Sequence, residues 1–359
     1  MQRLARAWTW LTPLLAILLY LIAMQVGVRP WLVAACVGGL IGAVLAAVHH
    51  AEVVAHRVGE PLGTLVLALA VTGIETALIV SLMLAGGPES AVLPRDAVYA
   101  AVMIICTGVV GICILLGGLA HREQDFRVEG AGAGLAALIV MATLTLVLPV
   151  FTTSTPSGTY TTAQLAFVAV SSAALWLIFV FVQTVRHRDY FLPASHVASP
   201  DTHAAPPSVR QAWASGVLLV VALVAVVALA KKLSPAIERA VEAAHAPRAV
   251  VGIIIATVVL LPETWAAANA ARANRLQTSM NLAIGSALAS IGLTIPLVVA
   301  ASIAFDTPLV LGLEPKEMAL LALTFVVSAV TLGTGRTFVM QGAVHLVLFA
   351  AFLFLAFVP

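Results

Sequence analysis

The sequence predicts an all-α integral membrane protein with about eleven transmembrane helices. Of its 359 residues, 62% are hydrophobic and only 9% are charged, whereas about a quarter of the residues in a typical soluble domain are charged. The apolar residues are also gathered into runs of about 20, the length that an α-helix needs to cross a hydrocarbon core about 30 Å thick. A chain of this composition is expected to lie in a lipid bilayer rather than to fold in water.

Eleven spans result when the chain is cut at the clusters of charged, Pro, Gly and Asn residues that interrupt the apolar runs. They cover residues 9–26, 31–49, 62–84, 97–119, 132–151, 161–183, 213–231, 248–270, 279–302, 317–334 and 338–357. The first span follows two arginines, as a secretory signal would. The segment LIAMQVGVRP at its end has no small-x-small cleavage site, so this span is expected to be a retained helix.

The charges and motifs exclude several classes of function. The formal net charge is only +2, so no basic face is expected to bind nucleic acid. Cys36, Cys106 and Cys113 all lie in apolar runs, where a free thiol behaves as a small hydrophobic group. The chain has no GxxxxGKS or GxxxxGKT motif for nucleotide phosphates, and no HExxH or GxSxG motif. The sequence therefore predicts no cofactor, no nucleotide and no enzymatic activity.

The distribution of Lys and Arg predicts the orientation of the chain. With the N-terminus inside the cell, the cytoplasmic segments carry more Lys and Arg than the outer segments, as the positive-inside rule requires. This predicts a multi-pass protein of the bacterial inner membrane, with a cytoplasmic N-terminus and an external C-terminus.

The longest connection, residues 186–212, is rich in Pro, His and Ser and has no apolar periodicity, which is typical of a flexible linker. It separates six predicted spans from five. If the first helix, within residues 1–30, stands apart, residues 31–185 and 213–359 form two repeats of five helices each. Because five is odd, the second repeat is expected to be inverted relative to the first, as in many secondary transporters.

Two glutamates lie well inside predicted spans. The chain has 16 acidic residues, and all except Glu75 and Glu263 are expected in connections or at the ends of spans. A charge near the bilayer centre costs several kcal/mol, so an ionisable residue there is by default a candidate functional residue. No Lys or Arg is expected within a span to neutralise the pair. Glu75 and Glu263 also fall on the second helix of each repeat, at corresponding positions.

Each of these glutamates has similar neighbours. A threonine follows each one, in the pairs Glu75-Thr76 and Glu263-Thr264, and a glycine or a proline precedes it closely. Proline removes a backbone donor and glycine loosens a helix, so carbonyl oxygens are expected to be available beside each carboxylate. Oxygen ligands of this kind suit a hard cation.

The helices that follow the two glutamates also match each other. The segments MIICTGVVGICILLGG (103–118) and TSMNLAIGSALASIGL (278–293) align Thr107 with Asn281. Their small residues allow helices to approach closely, while Asn281 and Ser286 offer weak oxygen ligands. Close packing without ligation is an equally good interpretation for each of these residues.

A buried carboxylate without a cationic partner tends to take up a proton. The two glutamates are therefore expected to hold either protons or a cation, but hardly both at once. Competition for the same oxygens is the chemistry of antiport. The alternative is that Glu75 and Glu263 are buried structural acids that bond to neighbouring hydroxyl groups.

Two segments around the glutamates resemble a known family. Residues 59–84, GEPLGTLVLALAVTGIETALIVSLML, and residues 261–296, LPETWAAANAARANRLQTSMNLAIGSALASIGLTIP, resemble the two alpha-repeats of ChaA-type calcium/proton antiporters in the cation/calcium exchanger superfamily. The resemblance implies one helix plus two inverted five-helix repeats, with exchange at Glu75 and Glu263. The superfamily has Gly-Asn close before each repeat acid, where this chain has Thr-Gly-Ile and Leu-Leu-Pro. This loss of amide oxygens keeps sodium and potassium open as substrates.

The predicted function is therefore secondary cation/proton antiport across the lipid bilayer. Export of Ca²⁺ in exchange for H⁺ is the first expectation, and Na⁺/H⁺ or K⁺/H⁺ exchange is the alternative. Glu75 and Glu263 are predicted to bind the cation when ionised and protons when not. The predicted shell is completed by Thr72, Thr76, Thr264, Asn281 and Ser286. A passive cation channel and a membrane-embedded enzyme are the less favoured alternatives.

Three histidines add weaker hypotheses. His49 and His56 lie near Glu52 and Glu60 where the second span ends, and together they could sense pH or a metal ion; a solvated interfacial turn is the simpler interpretation. His345 lies inside the last span. It is either a proton relay or a neutral histidine bonded to a neighbouring carbonyl.

Overall fold

The computed structural model describes residues 2–27, 29–59, 62–85, 87–192, 207–243, 247 and 249–358. Within them the chain forms thirteen α-helices and one pair of short strands. The helices are α1 (Gln2–Val26), α2 (Pro30–Val58), α3 (Leu62–Ala85), α4 (Leu93–Met103), α5 (Val110–His121), α6 (Val128–Ala142), α7 (Thr162–Phe181), α8 (Val209–Ala243), α9 (Ala249–Arg272), α10 (Leu276–Gly292), α11 (Thr294–Ala304), α12 (Pro315–Leu332) and α13 (Val339–Phe357). The strands are β1 (Glu123–Asp125) and β2 (Arg336–Phe338).

Eleven helical segments within these residues are long and apolar enough to cross a membrane. They coincide with the eleven predicted spans, so the predicted class of all-α integral membrane protein is confirmed. The largest differences are at helix ends, since α2 continues to Val58 and α8 continues through Pro235 to Ala243.

Three of the described spans contain 3-10 or π-helical backbone, since the sixth span ends in the π-helical segment Val182–Arg186. The fourth span begins with the 3-10 segment Gly87–Val92, and the π-helical segment Ile104–Val109 separates α4 from α5. In the fifth span, α6 gives way to a π-helical segment, Thr143–Val147, and then to a 3-10 turn, Leu148–Val150, that contains a proline. A π-helical segment changes which carbonyl accepts each backbone hydrogen bond, and such segments are frequent at functional sites.

The chain forms two compact units. Unit 1 contains α1, α2, α3 and α8, and unit 2 contains α4 to α7 and α9 to α13, with α9 belonging to it from Gly252 onward. Each unit thus draws helices from both predicted repeats, 31–185 and 213–359, and the division into inverted repeats stays a prediction. Much of the predicted linker 186–212 lies outside the described residues.

Unit 1 is held together by small residues and one buried histidine. A Cβ on Gly39 would come within 2.8 Å of the Leu19 side chain, so α2 packs closely on α1 only because residue 39 is glycine. His50 of α2 donates from Nε2 to the carbonyl of Thr9 at 2.9 Å, since a carbonyl can only accept. Its Nδ1 then accepts from the Ser215 hydroxyl at 3.2 Å. His50 therefore joins α1, α2 and α8.

Unit 2 contains the pair of strands and a buried non-helical segment. Antiparallel β1 and β2, with Gln124 opposite Thr337, join the connection before α6 to the connection before α13. The segment before α12 buries Leu309, Leu311 and Leu313. Its backbone polar groups are satisfied by main-chain bonds, which include Val310 N–H to Ala91 O, Leu311 N–H to Gly158 O and Leu313 N–H to Leu146 O. This bonding explains how an irregular segment is tolerated among membrane-spanning helices.

Candidate functional site

Glu75 lies in the middle of α3, in unit 1, and is only 3% exposed. Thr72 and Thr76 are buried as well. Residues three and four apart share one face of a helix, so these three side chains form a polar strip on an otherwise apolar helix. Three of the seven predicted ligands are thus brought to one buried surface. Burial of a carboxylate and two hydroxyls in the same strip is the arrangement that the hypothesis of a cation site requires.

Glu263 lies in α9, in unit 2, and its side chain is partly buried. Pro262 stands inside this helix and cannot donate to the carbonyl four residues earlier, that of Val258. Thr264 donates its hydroxyl to the Leu260 carbonyl at 2.7 Å. The helix nevertheless continues unbroken through Pro262, and the Thr264 hydroxyl hydrogen is used within α9, so the expected disruption beside the carboxylate stays a prediction.

The side chain of Asn281 is held by two hydrogen bonds in unit 2. Its Nδ2 donates to the Phe191 carbonyl at 2.6 Å, and its Oδ1 accepts from Gln277 Nε2 at 2.8 Å. The Gln277 Oε1 in turn accepts from the Arg127 backbone N–H at 2.6 Å. Asn281 is thus a tether between α10 and the segment after α7, and its role as a ligand stays a prediction that would use the second lone pair of Oδ1.

Ser286 is partly buried on α10, five residues after Asn281. Five residues correspond to about 140° around a helix with 3.6 residues per turn, so the two side chains leave α10 in different directions. Thr107, the residue aligned with Asn281 in sequence, is fully buried and donates to the Met103 carbonyl of its own helical stretch. The Thr107 hydroxyl thus uses its hydrogen but keeps its oxygen lone pairs, whereas one lone pair of the Asn281 amide oxygen is already engaged.

Among the described residues, no group of three or more His, Cys, Asp or Glu side chains is placed to hold a metal ion. A cation bound among these residues would therefore depend on hydroxyl and carbonyl oxygens in addition to carboxylates. His56 and Glu52 are exposed on α2, and Glu60 lies outside the described residues. This exposure supports the interpretation of a solvated helix end rather than a metal sensor.

Sequence reasoning missed a buried charged cluster in unit 2. Asp96 was expected at a span end, but it lies inside the fourth span and is only 4% exposed, and Glu317 at the start of α12 is buried too. Arg95 donates to Asp96 Oδ1 from both Nε and Nη2 at 2.8 Å, and from Nη1 to the Gly312 carbonyl at 3.0 Å. Arg95 and Asp96 thus belong to the N-terminal end of a helical segment, Ser90–His121, that extends beyond the predicted span 97–119.

One signal in the sequence could have indicated the position of Glu317. Glu314 and Glu317 are three residues apart at the start of an apolar run, as in a capping box. The Glu317 carboxylate accepts from the Glu314 backbone N–H at 3.0 Å. Nothing comparable marked Asp96, because Asp96 becomes buried only when Arg95 bridges it to the segment before α12.

His345 is fully buried in α13 and bonds to the Cys106 carbonyl, as one of the two hypotheses for this residue expected. The Nδ1–O distance is 2.8 Å, and Nε2 lies 3.0 Å from the Thr331 hydroxyl. Because the carbonyl can only accept, Nδ1 carries a proton, and a neutral His345 accepts from Thr331 through Nε2.

The fold is that of a multi-pass, all-helical membrane protein. The chain matches the sodium/calcium exchanger protein family over residues 28–185 and 214–358, and it belongs to that family. The two matched segments coincide closely with the predicted repeats and leave out the predicted linker. The family is one of transporters.

Relatives extend the match over most of the chain. A putative ionic transporter, y4hA, of Sinorhizobium fredii (strain NBRC 101917 / NGR234) is 49% identical over 98% of this chain and 96% of its own length. The sodium-potassium/proton antiporter ChaA of Escherichia coli (strain K12) is 36% identical over 89% of this chain and 87% of its own length. The predicted resemblance to ChaA-type exchangers is thereby confirmed.

A solved structure shows the same fold. The structure of native YfkE superimposes with a TM-score of 0.71, covers 98% of this chain and 100% of that chain, and is 18% identical in sequence. At this identity the likeness concerns the arrangement of the helices. It places the present chain in the exchanger fold over nearly its whole length.

Proposed function

We propose that this protein is a secondary active cation/proton antiporter in which Glu75 and Glu263 bind a cation when ionised and protons when not. The observation that carries the proposal is the burial of Glu75 in the middle of a membrane-spanning helix, beside the hydroxyls of Thr72 and Thr76. An ionised carboxylate is strongly disfavoured at such a position unless a proton or a cation compensates it. Glu263 offers the second carboxylate, next to Pro262, which has no backbone N–H to donate within α9.

The exchange follows from this requirement for compensation. When a cation leaves the glutamates, protons replace it, and when protons leave, a cation binds. A site that is always compensated, either by protons or by a cation, couples the two fluxes without ATP. Helix movements that expose the site to one side of the membrane at a time then turn this competition into antiport.

Calcium is the first candidate for the cation. Two carboxylates balance the charge of one Ca²⁺, and the buried threonine hydroxyls of α3, with carbonyl oxygens, supply the hard oxygen ligands that this ion takes. Thr264, Asn281 and Ser286 are the proposed ligands of the second repeat. In this proposal, the proton gradient across the bacterial inner membrane drives the export of Ca²⁺.

Sodium and potassium are the second candidate, and a specific relative favours them. The E. coli relative that is 36% identical to this chain is named a sodium-potassium/proton antiporter. The Asn281 amide oxygen already accepts from Gln277, which leaves fewer free lone pairs for the six to eight oxygen ligands that Ca²⁺ prefers. A monovalent cation together with one proton would balance the same two carboxylates.

Purified protein in proteoliposomes with an internal pH dye separates these candidates. An outward-directed proton gradient should drive uptake of ⁴⁵Ca²⁺, or of Na⁺ or K⁺, and each added cation should in turn release protons from the lumen. The variant Glu75→Gln should do neither. Cation flux that does not respond to the proton gradient would indicate a channel and would contradict the proposal.

A further inference from the structure

The turn that joins α9 to α10 is hydrogen-bonded to another segment of unit 2. This turn connects the helix that carries Glu263 to the helix that carries Asn281. It is tightly folded, since Arg275 N–H donates to the Ala270 carbonyl at 2.9 Å and Asn274 takes a left-handed conformation with φ of 58°. The segment that contacts this turn is residues 121–127, which lead from α5 through β1 to α6. This segment together with β2 is called the clip.

Gln124 of β1 makes the central contact of the clip. It is 3% exposed, and its Nε2 donates both to the Ala271 carbonyl and to Asn274 Oδ1, each at 2.9 Å. Its Oε1 lies against Gly117, where a Cβ would come within 1.6 Å of this oxygen. The side chain therefore occupies a socket that only a glycine at position 117 leaves open.

Two further contacts flank Gln124. His121 lies 2.9 Å from the Arg272 carbonyl through Nε2, and because a carbonyl only accepts, Nε2 is the donor. On the other side of the turn, the Arg127 backbone N–H donates to Gln277 in the first turn of α10. The last carbonyls of a helix have no partner within the helix, and here the clip supplies partners for two of them.

The clip is itself firmly connected. Antiparallel pairing of β1 with β2 ties it to the connection between α12 and α13. Phe126 N–H also donates to the Gly335 carbonyl at 2.9 Å. The end of α9 is thus bonded to a small structure that three other helices, α5, α6 and α13, leave or enter.

We infer that the clip holds the α10-facing end of α9 in one place throughout the exchange cycle, and that Gln124 is a positioning residue for Glu263. This inference rests on the proposed antiport at Glu263. Glu263 lies nine residues before Arg272 on the same helix, so a shift at the end of α9 would be transmitted to it along the helix axis. Releasing the clip would also leave the buried Gln124 amide hydrogens without their partners, which disfavours any state of the cycle that requires it.

The kinetic test removes the donor while it keeps the volume of the side chain. Gln124→Leu should lower the turnover of exchange about five- to ten-fold and change the KM for the cation less than about two-fold, because binding groups stay and only their placement during the cycle is loosened. Gln164→Leu serves as the control, because Gln164 caps the N-terminus of α7 and is not part of the clip. Its turnover should match that of the unsubstituted protein. Full turnover in Gln124→Leu would overturn the positioning role.

A cross-linking test addresses the fixed position directly, in a background in which Cys36, Cys106 and Cys113 are replaced by alanine. His121→Cys with Arg272→Cys leaves the Gln124 socket intact and places two thiols where the hydrogen bond was. A short bifunctional methanethiosulfonate, which forms disulfides, should join them at the same rate with saturating Ca²⁺ and without cation, measured at one fixed pH because thiol reactivity itself depends on pH. The joined protein should exchange cations at the rate of the untreated protein.

The two proposals can fail separately in this experiment. Exchange by the untreated double-cysteine protein reports on the antiport activity alone, and single-cysteine variants control for the reagent. Loss of exchange on cross-linking, restored by a reductant, would show that the end of α9 must leave the clip and would overturn the inference. A cross-linking rate that changes with the presence of the cation at fixed pH would overturn it as well.

Discussion

His345 donates its Nδ1 hydrogen to the backbone carbonyl of Cys106 across 2.8 Å. Cys106 lies in the π-helical segment between α4 and α5, where Val110 N–H donates to the Ile105 carbonyl, five residues earlier. In α5 the backbone hydrogen bonds return to carbonyls four residues earlier. The change from five-residue to four-residue spacing skips the Cys106 carbonyl, and His345 donates to it instead. A buried side chain on α13 thus stabilises an irregularity in a different span.

His345→Leu should destabilise the folded protein. The change leaves the Cys106 carbonyl and the Thr331 hydroxyl buried without a partner, and each such group costs about 1–3 kcal/mol. Thermal unfolding in detergent, followed by size-exclusion chromatography after heating, should show a clearly lower midpoint. His56→Leu, at an exposed site on α2, is the control and should unfold like the unsubstituted protein. Equal midpoints for both variants would contradict the role given to His345.

The ion pair of Arg95 and Asp96 predicts a characteristic non-additivity. Arg95→Met leaves the Asp96 carboxylate buried without its partner, and breaking a buried pair in this way costs about 3–5 kcal/mol. Asp96→Asn in the same chain removes the stranded charge, so the double variant should be more stable than Arg95→Met alone. Thermal midpoints of the two single variants and the double variant test this. Additive losses would mean that the pair contributes no coupling.

The spans could be predicted from the sequence because each consists of a long apolar run, and its length and composition do not depend on distant contacts. The two repeat glutamates could be found for the same reason, since Glu75 and Glu263 interrupt such runs. Asp96 could not be found, because its burial depends on Arg95 reaching the Gly312 carbonyl, more than two hundred residues further along the chain.

The contacts of the candidate ligands could not be predicted from the sequence either. The sequence indicated that Asn281 carries an amide oxygen on a suitable helix, but its bonds to Phe191 and Gln277 depend on how α10 packs. The π-helical segment around Cys106 was also missed, because its residues Ile104–Val109 are as apolar as those of a regular helix. Patterns along the chain predict which residues enter the membrane, whereas tertiary contacts decide which polar atoms stay available.

Substitution by alanine is expected to have opposite effects at two glycines, because their surroundings differ. A Cβ on Gly342 of α13 would lie 2.7 Å from the Leu115 backbone nitrogen, whereas a Cβ on Gly132 of α6 would meet nothing within 4 Å. Gly342→Ala should therefore push α13 away from α5 and lower the thermal midpoint. Gly132→Ala should raise stability by up to about 1 kcal/mol, because alanine is the better helix former. If the two variants behaved alike, the close packing of α5 and α13 would be in doubt.

Glu75→Gln and Glu263→Gln should each abolish exchange while the protein remains folded in the membrane. Glutamine keeps the shape of the side chain but can neither give up a proton nor balance the charge of a cation. Glu129→Gln, on an exposed position of α6, should exchange normally. The measurement is cation-driven proton release from proteoliposomes, with the yield of monodisperse protein as the check on folding. Normal exchange by either of the first two variants would remove that glutamate from the mechanism.

Competition between protons and a cation also predicts how the KM depends on pH. If both bind the same carboxylates, each competing proton should raise the KM for the cation about ten-fold for every unit by which the pH falls, in the range where the site is protonated. The maximal rate should change much less, because a saturating cation displaces the protons. Initial rates over a range of cation concentrations at several pH values, with the same pH on both sides of the vesicle membrane, separate the two constants. A KM that stays constant while the maximal rate follows pH would place the protons on residues other than those that bind the cation, and antiport would then require a connection between two sites instead of competition at one.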